Sequence, residues 1–377
     1  MRNRHIKILF VLLLWPLSTF PQIQRIEIPK NLLAFTFQQD SDGCVWIGLS
    51  DGDSSGSLAS YHNDTLKIVS GNESLPNGSY HSSLKLTDGS LMFGGNITNK
   101  QGKSLLIWVS NGQADTLQIP FALVNPFVNC ISLVNRREIW IGTASGLLVN
   151  NRGQWSRYTV NHGLPDNFIT AIHQDFRGIV WIGTERGIAY SIENQFRRIE
   201  QGSRIIGSAT TFYSDNRGYV WAGSRFSSDG VSVYNGEVWE TFSGRHGLVD
   251  NSASVFHQDS NGRLWVGSCY NRSRGGVSVF DGQKWVGYTS AKNLAKPCVD
   301  AIISDSKGRV WIGGSLSPRK GKGITVFEND NWQTIANNRE MPAERVIAFF
   351  FDSYERLWIS SFEGLFIVDP DKLVSKE

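Results

Sequence analysis

Three sets of residues in this chain have the type and spacing to do chemistry. His162 and His246 each open an H-G-L-x-D-N segment, with Asp166 or Asp250 following, and His173 and His257 each stand in an H-Q-D tripeptide. Histidine near a carboxylate is common equipment for general acid–base catalysis. Asp40, Asp175, Asp215, Asp259 and Asp305 each head a D-x-x-G turn, which outlines a calcium loop but lacks its remaining ligands and terminal Glu. Four cysteines, Cys44, Cys130, Cys269 and Cys298, have no metal-ligand spacing and allow three disulfide pairings.

The histidines and aspartates recur at equivalent places, and recurrence points to architecture before chemistry. "DSNGRLWVGS" at 259–268 returns as "DFRGIVWIGT" from Asp175, "DNRGYVWAGS" from Asp215 and "DSKGRVWIGG" from Asp305. Looser copies start at Asp40, Thr87, Asn135 and Asp352. The Trp positions are 46, 140, 181, 221, 265, 311 and 358, with Met92 completing the series, at spacings of 40–48 residues. A period of that size signals a propeller or solenoid.

One unit divides into four β-rich runs, Phe168–Gln174, Ile179–Thr184, Gly187–Ile192 and Gln195–Glu200. In the D-x-x-G turn the Asp accepts from backbone N–H groups ahead of it and the Gly supplies positive φ. Asn111-Gly112, Asn235-Gly236 and Asp281-Gly282 read as type I′ hairpin turns. Four antiparallel strands per unit, arranged around an axis, make a propeller blade. The repeated Trp is then expected between blades, and the Gly two residues on lets the next sheet approach. A second aromatic series, Trp155, Phe196, Trp239, Trp285 and Trp332, should pack the outer core.

The last unit has runs at Val346–Phe351, Leu357–Ser360 and Gly364–Val368 but no fourth. "QIQRIEIP" from Gln22, before the first inner strand at Leu32–Gln38, resembles the outer run from Gln195. The expected fold is therefore all-β, a single propeller of eight four-stranded blades closed by Ile23–Ile28. The propeller domain spans 23–370, and residues 371–377 form a tail.

Residues 1–22 read as a secretory signal peptide: Arg2, Arg4 and Lys7 precede an apolar run from Ile8 to Trp15, too short to span a bilayer. The expected location is periplasmic or secreted. Without those three cations, 34 Lys+Arg balance 34 Asp+Glu, which lacks the basic footprint of a nucleic-acid binder.

The units "GLPDNFITAIHQDFRGIVWIGTERGI" and "GLVDNSASVFHQDSNGRLWVGS" resemble the two-component regulator propeller repeat. The resemblance covers 23–369 and implies a ligand-binding or sensory propeller. Members of that family often form the periplasmic sensor part of hybrid histidine kinases, many thought to sense glycan fragments. They usually carry two seven-bladed rings and continue into a membrane helix and a kinase. Here the count is eight in one ring and the sequence stops at Glu377, so the expectation is a free-standing propeller.

Five connections between second and third strands are long: 49–57, 96–104, 224–230, 268–276 and 314–323. Those of blades five to seven are consecutive and should form a patch on one face. Arg225, Phe226, Tyr270, Arg272, Arg274, Arg319 and Lys320 are the expected ligand-binding residues, with Asp229 and Lys322 beside them. Guanidinium groups beside aromatics suit a glycan or other anionic ligand, or an acidic protein surface. The same geometry makes Cys269–Cys298 the favoured pairing, against a reading of the four as unpaired thiols. No cofactor, metal, catalytic residue or membrane insertion beyond the leader is expected, and the chain reads as a binding module and not an enzyme. Two other classes stay open: a propeller-fold glycan lyase or hydrolase, and an envelope assembly scaffold.

Overall fold

Each copy of the repeat folds as one four-stranded antiparallel sheet, and the described residues form eight such sheets in a ring. The computed structural model describes residues 23–71, 75–97, 105–125, 127–199, 207–226, 228–270, 274–290, 294–315, 323–335, 341 and 343–374. The expected leader at 1–22 lies outside them. Among the described residues no helix is long and apolar enough to cross a membrane.

Blade four shows the pattern, with strands Ile169–Gln174, Val180–Thr184, Gly187–Ile192 and Gln195–Arg198. It starts one residue later than the apolar run suggests, because the Phe168 N–H donates to the Asp166 carboxylate at 2.8 Å. Blade eight holds Val346–Phe351, Leu357–Ser361 and Gly364–Val368. Its fourth strand is Ile23–Ile26, antiparallel to Gly364–Val368 in the register Ile23↔Val368 to Ile26↔Leu365. The chain thus closes its own ring. Ile28 leaves the ladder ahead of Pro29 but still packs against the core of blades one and eight.

The core lies between blades. Trp46, Trp140, Trp181, Trp221, Trp265, Trp311 and Trp358 are each at most 3% exposed, and Met92 is fully buried. The outer aromatic of the next blade meets the inner Trp, as in Trp181–Trp239 (ring centroids 5.2 Å apart), Trp221–Trp285 (5.8 Å) and Trp140–Phe196 (6.0 Å). Edge-on and tilted contacts of this kind suit aromatic quadrupoles. The Gly after the Trp sets how near the blades come: a Cβ on Gly183 would lie 2.2 Å from the Ala209 carbonyl oxygen.

Two hairpins depart from the expected turn. Asn111 and Gly112 both have positive φ, as type I′ requires, whereas at 235–236 and 281–282 only the Gly does. There the Asn235 and Asp281 side chains accept from the backbone N–H groups two and three residues on. That mimicry of a backbone turn removes the need for a left-handed first residue.

Six inner strands shift register at one residue, Phe35, His81, Asn129, Thr170, Asp300 or Ile347. Bulges of this kind re-aim a side chain. Here they do so at the end of the inner strands that adjoins the long connections.

Candidate functional site

The recurring aspartates serve the fold. In blade six the Asp259 carboxylate accepts from the backbone N–H of Asn261 and Arg263, both at 3.0 Å, on one oxygen. Its other oxygen accepts from the Arg263 Nε at 2.7 Å and the Trp265 indole at 2.8 Å. Trp46, Trp181, Trp221, Trp311 and Trp358 donate in the same way to Asp40, Asp175, Asp215, Asp305 and Asp352, each six residues earlier. These carboxylates are engaged by N–H donors from the turn backbone and from the indole. Blade three reaches the same end differently, with Trp140 donating to Glu138 at 3.1 Å. Blade two has Met92, which carries no N–H, and Asp88 there binds only Ser90. The Asp-to-indole bond was readable as a constant offset of six residues, and the sequence reading above assigned the Asp to its turn alone.

The histidines are likewise committed. His162 Nδ1 accepts from the Thr159 N–H at 3.0 Å and His246 Nδ1 from the Ser243 N–H at 2.9 Å, each ahead of a left-handed Gly. His173 and His257 bond the hydroxyls of Ser214 and Ser304 on the next blade, at 2.7 and 2.6 Å. Burial lowers the pKa of both, against a smaller opposite pull from Asp175 and Asp259. They are neutral hydrogen-bonding groups between blades. Burial also pushes the Cys44 and Cys130 thiols up, to about 11 and about 12, which leaves them as thiols and weak nucleophiles.

The long connections share a face with the links between blades: the Gly78 N–H donates to the Gly56 carbonyl, joining the start of a third strand to the approach of the next blade. On this face Arg225 and Phe226 follow the second strand of blade five. Arg225 is anchored by its backbone N–H to Thr210 and forms an ion pair with Asp300 of blade seven, two blades on. Phe226 is 80% exposed beside it. Cys269 and Cys298 form a disulfide between blades six and seven, two residues from Asp300. Their sulfurs are oxidised, so the cluster Cys269–Cys298–Asp300 offers no thiolate to a metal. Only the backbone of Tyr270 and Arg274 is described, at the ends of two paired strands. Arg272, Arg319, Lys320 and Lys322 lie outside the described residues. Of the expected ligand-binding residues, the structure therefore places Arg225 and Phe226 side by side.

The bulged residues add a group that pattern reading did not single out. His81 packs edge-on against Phe35 (5.0 Å) and stacks on Phe127 (5.2 Å), while its Nε2 bonds the Ser79 hydroxyl. Burial lowers its pKa, opposed by Asp51. Asn129 and Thr170 tie the mouth to the carbonyls of Ile169 and Ala209. Among the described residues this face combines aromatic rings, a His whose pKa burial lowers, and the Arg–Asp pairs Arg225–Asp300 and Arg186–Asp166, a set suited to binding. On the opposite face, a cavity of 840 Å³ opens where blades seven, eight and one meet.

Residues 163–186 and 247–270 match the family described as two-component regulator propeller. No curated protein matches the chain by sequence. Among solved structures it is similar to the extracellular domain of a protein assigned as a hybrid two-component system of B. thetaiotaomicron. The two are 20% identical with a TM-score of 0.59, over 93% of this chain and 41% of that one. PorZ, a surface component of the type-IX secretion system of Porphyromonas gingivalis, is 14% identical with a TM-score of 0.57, over 87% of this chain and 51% of PorZ. A virginiamycin B lyase from Staphylococcus aureus is 12% identical with a TM-score of 0.55, over 88% and 99% of the respective chains. At such identities the likeness is one of fold.

Proposed function

We propose that this chain, an eight-bladed ring carrying two-component regulator propeller repeats, is an exported binding module that recognises an anionic or glycan-derived ligand in a sensory context. The ligand would sit on the face of the long connections, over blades five to seven and the adjoining mouth. The observation that carries this reading is Arg225: it leaves the repeat and crosses to Asp300 at the inner strands, and the next residue, Phe226, is exposed. A guanidinium 45% exposed and already oriented by a carboxylate can exchange that partner for a ligand carboxylate or sulfate at little entropic cost. Arg272, Arg274, Arg319 and Lys320 would add charge around it. The fold likenesses to a sensor's extracellular domain and to a secretion-system component fit this reading.

A thermal-shift screen against acidic and neutral oligosaccharides tests it, because a ligand that binds the native state raises apparent stability. An acidic oligosaccharide should raise Tm, and replacing Arg272, Arg274 and Arg319 by Ala should weaken its binding and flatten the salt dependence with folding intact. Wild-type affinity and salt response in that triple variant would place the site elsewhere.

A further inference from the structure

The seam between blades two and three lacks the inner Trp that the other blades contribute. Leu86 stands where blade six has Asp259: its N–H donates to the Ser90 carbonyl and its own carbonyl accepts from Gly89, as Asp259 does with Arg263 and Gly262. Six residues on, Met92 takes the place of the Trp and packs against Val128, Ile141 and Leu148 of blade three. Two apolar side chains thus replace a carboxylate–indole pair, and a thioether fills less of the seam than an indole. Trp108, directly across the ladder from Met92, is left half-buried.

Blade three departs from the repeat as well. Three residues separate its first and second strands, Val128–Val134 and Glu138–Thr143, where every other blade has five. The shortened turn carries Arg136 and Arg137, and Arg152 follows the third strand, Gly146–Asn151, on the same face. Elsewhere on this face Arg177, Arg217, Arg263, Arg309 and Arg356 are each neutralised by the Asp of their own turn. Among the described residues Arg136, Arg137 and Arg152 form no ion pair. The two departures meet in a recess of 370 Å³, lined by Trp108, Leu117 and Ile139 together with these three arginines. Its single carboxylate, Asp88, is held by the Ser90 hydroxyl at 2.6 Å.

We propose that this recess binds a small amphipathic anion, a carboxylate carried on a short apolar chain. Ligand pockets commonly measure about 300–1,000 Å³ and set an apolar wall beside a few convergent polar groups, which is the composition found here. The chain would cover the apolar surface that the missing indole leaves open. The carboxylate would sit among guanidinium groups whose planar forks pair with it bidentately. The site lies opposite the long connections and is independent of the function proposed above.

Calorimetric titration of the purified full chain with octanoate tests the proposal. Saturable binding is expected, weakening as salt rises, with 1-octanol and acetate each binding about tenfold more weakly, since each lacks one half of the recognised group. Replacing Arg137 and Arg152 together by Gln should lower affinity about fivefold with Tm unchanged, because each exposed ion pair contributes modestly. Leu86→Asp with Met92→Trp restores the repeat's pair within the seam and should abolish binding; the two Gln substitutions, on exposed residues, decide the matter if that variant does not fold. Arg225→Ala should bind octanoate as wild type, which keeps this result distinct from failure of the function proposed above. Absence of saturable heat, equal affinity for octanoate and 1-octanol, or wild-type affinity in the Arg137→Gln, Arg152→Gln variant would overturn the proposal.

Discussion

Replacing Asp259 by Ala should cost far more than the same change at Asp88, although both lie in the turn between the first and second strands of their blades. Asp259 is held by four donors, and its removal leaves the Arg263 backbone N–H and the buried Trp265 indole without an acceptor. Each orphaned buried donor costs about 1–3 kcal/mol, so the pair amounts to about 2–6 kcal/mol. Asp88 serves only Ser90 in a turn open to water, and its loss should stay within about 1 kcal/mol. With an unfolding entropy of about 2.1 cal/mol/K per residue over roughly 350 residues, 1 kcal/mol shifts Tm by about 1.4 °C. The expected drops are thus about 3–8 °C for Asp259→Ala and about 1 °C for Asp88→Ala. Calorimetric or near-UV melts of the two variants read the difference directly. Equal shifts would refute the reasoning, because they would show that the indole and Arg263 do not depend on the carboxylate.

Three further outcomes are expected. The sign of the pH dependence follows from His81, His173 and His257: burial sets each folded pKa below the ordinary 6.5, so the unfolded chain binds more protons as pH falls below 6.5. Their stabilising contribution is complete above that pH and is lost on acidification, and His173→Gln with His257→Gln should flatten the slope of Tm between about pH 7 and pH 5. Replacing Cys269 and Cys298 by Ser should cost about 3–4 kcal/mol for a separation of 29 residues, and reductant should lower the Tm of the wild type but not of this variant. Deleting the strand up to Ile28 removes Ile23, Ile26 and Ile28 from the blade-eight core, and should lower Tm well beyond a surface change; an unchanged melt would mean that the ring does not depend on this closure.

Which parts of this molecule could be read in advance follows from the range of the interactions. Repeat length, the D-x-x-G turn and alternation within each run are local properties, set by backbone sterics and by which face of a strand is buried. They determine four strands per unit, and eight copies with one missing strand determine the ring and its closure by the N-terminal segment. The burial of Trp181, Trp221, Trp265 and Trp311 follows from the same count, since one large side chain per copy must fill one gap per pair of blades. Even the Cys269–Cys298 pairing was within reach, because both positions fall on one face of adjacent blades.

Contacts between copies were decided only by the closed ring. The Asp259–indole bond is no such contact: it lies within one copy and recurs at a constant offset of six residues. Arg225 and Asp300 stand 75 residues apart and meet because curvature brings the second strand of blade five near the inner strand of blade seven. The bulges that aim His81 at Phe35 and Phe127 are one-residue register shifts, which the apolar pattern does not record. The cavity on the D-x-x-G face arises where blades seven, eight and one meet, and its lining is contributed by all three. A repeating sequence specifies each blade by short-range rules, but what the blades enclose depends on their mutual placement, and that is fixed only when the ring shuts.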